Sequence, residues 1–301
     1  MDEQHIPAAI ESRLEGYQML TRREFVTTAL GGIGLVGLFL RSEKVLAKFS
    51  RRIDSIGLQL YTVRKELESD FESTLRKVAA IGYREVEFAG YYNRTPAQVR
   101  QTLNNAGLSS PSTHLSLQTI AHDLGRAIES AKVIGHRYLV LGYLQPEERK
   151  SLDDYKALAD LLNRAGEDCR KAKLQLAYHN HDFEFASTNG QVPYDLLLRS
   201  TDRELVKMEL DLYWITKARQ RPEDYFVQYP GRFELLHIKD MDGTPKRFFT
   251  EVGRGIIDFK RILEQSRLAG VKHYFVEQDE MSGSPFESIK TSYEYLKTMR
   301  F

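Results

Sequence analysis

The 301-residue sequence predicts a single (β/α)8 TIM barrel behind an N-terminal signal segment. Three observations carry that expectation. From residue 51 onward, eight short apolar runs alternate strictly with amphipathic stretches, and parallel neighbours in a sheet need such crossovers. The span 51–301 matches the roughly 250 residues typical of one such barrel. Strand one leads into Tyr61-Thr62-Val63-Arg64, not into the glycine-rich phosphate loop expected of an open doubly wound sheet. The division is therefore 1–50 as signal and linker and 51–301 as one barrel, with no second domain.

The elements follow in order. Residues 56–61 (IGLQLY) read as strand one, and 71–81 as a helix closed by Gly82 in a left-handed conformation. Residues 84–88 form strand two. A helix over 95–106 has Thr95 as its cap, Pro96 at its first position and Gly107 at its end. Strand three is 109–115, with a helix over 123–134, and strand four is 137–141. A long helix over 151–173 opens on Ser151, with Asp153 and Asp154 in the turn where the helix dipole favours anions. Strand five is the apolar run 174–178, followed by a short helix over 193–199. Strand six is 206–210 with a helix over 222–229, and strand seven is 233–238 with a helix over 258–269. Strand eight is 274–277 and the last helix is 286–299.

The first fifty residues differ in kind. Thr21-Arg22-Arg23-Glu24-Phe25-Val26 is a twin-arginine pattern, the apolar run 27–40 is too short and glycine-rich for a comfortable span, and Val45-Leu46-Ala47 resembles a cleavage site. These predict export to the periplasm or another extracytoplasmic space through the twin-arginine machinery. Membrane contact is expected only if the segment stays uncleaved. Charge is balanced, Lys+Arg 43 against Asp+Glu 42, with no long basic run, so nucleic acid is not an expected partner. Cys169 is the sole cysteine; it allows no intrachain disulfide and reads as a structural residue in a helix.

In a barrel of this class the chemistry sits at the C-terminal strand ends. Those ends carry Gln59, Tyr61, Glu87, His114, His179, His181, Glu184, Asp211, His237, Lys239 and Glu277. The set holds one lysine and no arginine, and its carboxylates and imidazoles suit a divalent cation better than a phosphate. Ligand-type residues end four successive strands, five to eight, a pattern compatible with Mn, Zn, Co or Fe. Gly253-Arg254-Gly255, between strand seven and the next helix, is a turn that could expose backbone amides.

The segments GLQLYTVR, ELDLYW, LLHIKD, FVEQDE and GRGIIDF resemble the xylose isomerase-like TIM barrels of the sugar phosphate isomerase/epimerase superfamily. The likeness runs from Ile56 to Phe301. It implies a metal held by Glu, Asp, His and Glu from strands five to eight, of which Asp211, His237 and Glu277 match the last three. The first position departs from the pattern: His179 stands where a glutamate is usual, with His181 and Glu184 as alternative donors. That change weakens a symmetrical two-carboxylate epimerisation, and the HxH stretch is similar to that of inosose dehydratase-like members. The implied chemistry is proton abstraction beside a carbonyl, with the metal stabilising the enediolate.

On this reading Glu277 is the candidate base and His181 or His114 the partner acid. Glu87, Glu184, Lys239 and Trp214 are the candidate substrate contacts, with Phe183 a second aromatic able to cover a sugar face. Export implies an unphosphorylated sugar or glycoside, since sugar phosphates are scarce outside the cytoplasm. The expected function is a metal-dependent isomerase or epimerase on a keto-sugar. A 3-keto-glycoside lyase or dehydratase, and a non-catalytic sugar-binding barrel, stand as alternatives. An endonuclease-IV-like enzyme would need further ligands and a basic face that the sequence lacks. Homo-oligomer formation is left open.

Overall fold

The computed structural model describes residues 51–301, which form a closed barrel of parallel strands. These are β1 (Gly57–Gln59), β2 (Glu85–Phe88), β3 (Ser109–Ser116), β4 (Tyr138–Tyr143), β5 (Gln175–His179), β6 (Val206–Asp211), β7 (Phe233–Ile238) and β8 (His273–Val276). Each strand pairs with its neighbours in sequence, and β8 closes on β1 with Gly57 opposite Phe275. The twin-arginine pattern, the apolar run after it and Val45-Leu46-Ala47 lie outside the described residues.

Local chemistry sets the element ends. Thr95 Oγ1 accepts from Gln98 N at 3.3 Å while Gln98 Oε1 accepts from Thr95 N at 2.9 Å, a reciprocal cap on helix Pro96–Ala106. Gly107 leaves that helix at φ 68°, in the left-handed region. Gly82 ends its helix at φ 130°, outside the ordinary left-handed well, and a Cβ there would lie 2.3 Å from the Tyr293 ring. Ser151 and Asp154 cap helix Leu152–Lys171 in the same reciprocal way. Cys169 lies buried on that helix, where burial raises its thiol pKa to about 12, so it is an inert packing residue.

Several boundaries differ from the sequence reading. β1 stops at Gln59 because the Gln59 side chain accepts from Tyr61 N at 3.0 Å and turns the chain into a tight helical turn, Leu60–Val63. β3 and β6 run straight into short helices, Leu117–His122 and Leu212–Lys217, to which the sequence pattern assigns no element. Their caps are the strand ends themselves: Ser116 Oγ accepts from Thr119 N at 3.1 Å and Asp211 Oδ1 from Trp214 N at 2.9 Å. The helix expected over 258–269 is broken into Phe259–Glu264 and Ser266–Ala269. A two-stranded ribbon, Asp240–Met241 with Phe249–Thr250, stands above β7.

Strand parity layers the barrel interior. Tyr138, Val140, Ala177, Leu235 and Phe275 form an apolar plug, in which the Val, Leu and Phe side chains are each worth about 1.5–3 kcal/mol on burial. Gly57 leaves the room this plug requires, since a Cβ there would sit 2.4 Å from the Phe275 ring. Two residues further along β5, β7 and β8, one pleat up, come His179, His237 and Glu277. The apolar layer thus gives way directly to a charged one.

His136 shows how burial fixes a charge state behind the barrel wall. Its Nδ1 donates to Ser110 O at 2.8 Å and its Nε2 accepts from Tyr91 OH at 3.1 Å. Burial lowers its pKa from 6.5 to about 4. The unfolded chain then binds the proton first, so this group's stabilisation is full above about pH 6.5 and is lost as pH falls towards about 4, by up to roughly 3 kcal/mol. His136→Gln keeps a donor and an acceptor without the titration. Urea unfolding is expected to show a shallower loss of stability between pH 6.5 and 4 than wild type; equal slopes would refute this assignment.

Candidate metal centre and active site

At the C-terminal end of the barrel the side chains of β2, β3, β5, β6 and β7 converge on Glu209. This residue is fully buried on β6, two positions before Asp211 and on the same strand face. One Glu209 oxygen, Oε2, lies 2.6 Å from His114 Nε2, 3.1 Å from His179 Nδ1 and 3.2 Å from His237 Nε2. Glu87, equally buried, takes His237 Nε2 at 2.7 Å and the Gln59 amide at 2.8 Å, with His114 Nε2 at 3.2 Å. Burial alone would raise both carboxylates, yet the surrounding imidazoles hold them below the usual range. In return Glu87 and Glu209 raise His114 to about 10, against the effect of its own burial.

These contacts engage one nitrogen each of His179 and His237. The others, His179 Nε2 and His237 Nδ1, both lie 3.9 Å from Asp211 Oδ2, and His237 Nδ1 is 3.0 Å from Glu277 Oε2. One donor atom each of His179, Asp211, His237 and Glu277 falls within 4.8 Å of the rest. All four are buried. Asp211 supplies the test of whether a cation fits. Its Oδ1 caps a helix, while its buried Oδ2 makes no hydrogen bond even though Lys239 Nζ is 3.3 Å away. Burial lifts its pKa to about 6, as expected of a carboxylate short of partners. An orphaned acceptor facing two imidazole nitrogens fits a divalent cation with mixed nitrogen and oxygen ligands. His237 donates from both nitrogens and is held cationic by Glu209 and Glu277, so loading this quartet displaces its Nδ1 proton.

A second quartet, His114, His179, Glu209 and His237, meets the same distance criterion and shares two residues with the first. Its carboxylate oxygen already takes three imidazole contacts within 3.2 Å, whereas Asp211 Oδ2 makes no hydrogen bond and has its two imidazole nitrogens at 3.9 Å. The geometry therefore favours the Asp211 quartet, with Glu87 and Glu209 fixing the ring orientations from behind.

The remaining candidates separate clearly. A cavity of about 800 Å³ opens above the quartet and is lined by His114, His179, His181, Trp214, Lys239 and Glu277 among others. Lys239 is buried, with its ammonium 2.8 Å from Glu277, 2.8 Å from Asp279 and 3.3 Å from Asp211. Burial opposes its charge, but those carboxylates hold its pKa well above the ordinary lysine value. His181 carries a buried Nδ1 with no partner; burial, and then the Lys239 charge, bring its pKa down to about 3, so the ring is neutral. Glu87 and Glu184 do not reach the cavity. Glu87 lies beneath the site. Glu184 is spent on Tyr178 OH at 2.7 Å and His181 N at 2.8 Å, where it braces the His181 loop.

Gly253-Arg254-Gly255 does not offer amides to a ligand. Gly253 N and Gly255 N donate to Asp240 Oδ2 at 2.9 and 3.0 Å, which ties this turn to the residue after Lys239. Residues given no role in the sequence reading also enter the site. Glu209 hid one pleat inside the strand, though the spacing Glu209/Asp211 signalled a shared face. Asn180 Oδ1 accepts from Asp211 N at 3.0 Å. Asp279 and Arg149 arrive from loops, and Arg64 opens the short helix Arg64–Ser69.

The profile of the xylose isomerase-like TIM barrel family matches residues 75–299. The chain belongs to this family. Among its relatives, an inosose dehydratase of Lacticaseibacillus casei is 23% identical over 268 residues, covering 76% of this chain and 89% of its own length. An inosose dehydratase of Clostridium beijerinckii is 22% identical over 271 residues, covering 76% and 90%. A sugar phosphate isomerase/epimerase of Parabacteroides distasonis superposes with TM-score 0.72 at 28% identity, over 81% of this chain and 96% of that one. The IolI protein with bound zinc superposes with TM-score 0.64 at 15% identity, over 80% and 95%, a likeness of fold. Relatives of this xylose isomerase-like barrel are thus sugar-modifying enzymes, dehydratases among them.

Glu209→Gln sets an amide among imidazole donors that point at a single oxygen. The variant is expected to lose about 3 kcal/mol or more in urea unfolding and to bind metal about 10–100-fold more weakly. Stability and metal affinity both equal to wild type would show that the Glu209 charge organises nothing.

Proposed function

We propose that this protein is a divalent-metal-dependent enzyme that removes a proton next to the carbonyl of an unphosphorylated keto-sugar, with elimination as its favoured outcome. The observation that carries this reading is an asymmetry across the Asp211 quartet. Glu277 faces His179 and His181, so two matched carboxylates able to exchange protons on opposite faces of a sugar carbon are not available for epimerisation. Isomerisation uses the same first step and is the second reading. The inosose dehydratase relatives support elimination.

A bound dication supplies Lewis acidity for the carbonyl and the developing enediolate. The chain's own residues do the rest. His181 lines the cavity, neutral and with Nδ1 unpartnered, and is placed to take the proton, with the negative charge developing on the substrate stabilising its imidazolium. Glu277, which the sequence suggested as base, has Oε2 3.0 Å from His237 Nδ1 and 2.8 Å from Lys239 Nζ, and is held well below the ordinary carboxylate range despite burial. With that oxygen engaged by two cations, its proposed role is that of a ligand. Lys239 Nζ and the His114 imidazolium are the fixed cations that stabilise oxyanions and give a proton to a departing oxygen. The twin-arginine pattern supports a location outside the cytoplasm, which is why an unphosphorylated substrate is proposed.

Metal analysis of the purified protein is expected to find about one transition metal per chain, absent in Asp211→Ala and His237→Ala. His181→Gln should keep the metal and lose about 100-fold or more in kcat on keto-sugars. A well-folded protein that takes up no metal on titration would sink the mechanism and leave a non-catalytic sugar-binding barrel; full activity in His181→Gln would remove that residue as base. For location, replacing Arg22 and Arg23 together by lysine is expected to retain the protein in the cytoplasm, and unchanged export would argue against the twin-arginine route.

A further inference from the structure

The cavity is much larger than one sugar ring, and its two ends differ. At about 800 Å³ it lies within the range of roughly 300–1,000 Å³ that buries ligands the size of drugs, whereas a hexose has only about a dozen heavy atoms. The inner end is polar, with His114, His179, Lys239 and Glu277. The outer end carries Tyr61, Tyr143 and Phe183, with Arg64 and Arg149. Tyr61 is 43% exposed and Tyr143 40% exposed, large aromatic surfaces at a cavity mouth that a ligand would cover.

That outer end is ordered before any ligand arrives. The Tyr143 ring stands nearly perpendicular to those of His181 and Phe183, at centroid distances of 4.9 and 5.8 Å. The Arg149 guanidinium lies 3.5 Å over the Phe183 ring, and its Nε donates to Leu144 O at 3.1 Å. Arg64 lies 4.1 Å over Tyr61, with Nη1 donating to the backbone oxygens of Tyr61 at 2.9 Å and Asp279 at 3.0 Å. Among the described residues neither guanidinium has a carboxylate within ion-pair distance. Both line the cavity and are held by a ring and by backbone, so either can meet a ligand without the ordering cost of a loose arginine.

We infer that the outer half of the cavity is a second subsite, formed by Tyr61, Tyr143 and the Arg149–Phe183 stack, for a second ring, aromatic or sugar, joined to the sugar through its anomeric oxygen. The substrate is then a keto-glycoside and not a free monosaccharide, an inference that rests on the keto-sugar reading of the inner site. The linked chemistry balances without an oxidant. With a carbonyl at C3, the base removes the proton on C2. The electron pair forms the C1–C2 double bond as the C1–O bond breaks. The ring then departs as an alcohol, its oxygen taking up a proton from the site. The products are an unsaturated keto-sugar and the free ring alcohol.

The test measures binding to the full, metal-loaded chain of phenyl β-glucoside, cellobiose and methyl β-glucoside by calorimetry, with the fluorescence of Trp214, the sole tryptophan, as a second readout. Phenyl glucoside or cellobiose is expected to bind about ten-fold more tightly than methyl glucoside. Tyr143→Ala and Arg149→Ala should each erase that advantage without changing metal content or methyl glucoside affinity. A preference for phenyl glucoside identifies an aromatic ring and a preference for cellobiose a second sugar; either supports the subsite. Equal affinities, no measurable binding of any probe, or a ring preference that survives both variants overturns it. Turnover of a free keto-sugar with no ring preference removes the subsite alone. A ring preference in a protein inactive on every keto-sugar and keto-glycoside keeps the subsite and removes the proposed reaction.

Discussion

Two carboxylates buried out of reach of solvent, Glu87 and Glu209, are the constraint on which the top of the barrel depends. A carboxylate in such a place costs several kcal/mol unless cations and donors surround it. His114, His179, His237 and Gln59 do so. The arrangement is possible because strand parity brings these residues to one layer directly above the apolar plug. It also has a direction. Each of the two imidazoles of the quartet turns one nitrogen down towards Glu209, and so presents the other to Asp211. Ring orientation in the site is therefore a product of the buried charge beneath it.

The fold was legible because period and punctuation agree. The alternation, the Thr95–Gln98 and Ser151–Asp154 caps and the glycine at residue 107 all point to the same architecture. The last three members of the quartet were legible for a related reason: each ends or just follows a strand. Glu209 was not, because KMELD reads as an apolar run closed by one acid, and attention to the final residue passed over the acid one pleat below. Arg149 comes from a loop and Arg64 from a short helix that follows a tight turn after β1, and the approach of both to the cavity depends on tertiary contacts and not on periodicity.

Asp211 explains why single-residue readings were hard to separate. As a helix cap it is an ordinary structural residue, and as an orphaned acceptor it is a candidate ligand. The structure makes it both, one oxygen for each task. Glu184 goes the other way. From sequence it was indistinguishable from a ligand, yet its two partners are a tyrosine hydroxyl and a backbone amide, and burial raises its pKa to about 7. Its contribution to the site is the position of the His181 loop.

The tie between Asp240 and the turn at Gly253 and Gly255 reaches further than the turn itself. A Cβ on Gly255 would lie 2.2 Å from Met241 O and 2.3 Å from Asp240 Oδ1, so any side chain there must displace the residue next to Lys239. The ammonium among Glu277, Asp279 and Asp211 would move with it. A turn that looks like a freely variable connection is thus mechanically part of the active centre. Of the three residues of this turn, Arg254 is the one whose side chain is free of that constraint, since its neighbours on both sides donate to the carboxylate they enclose.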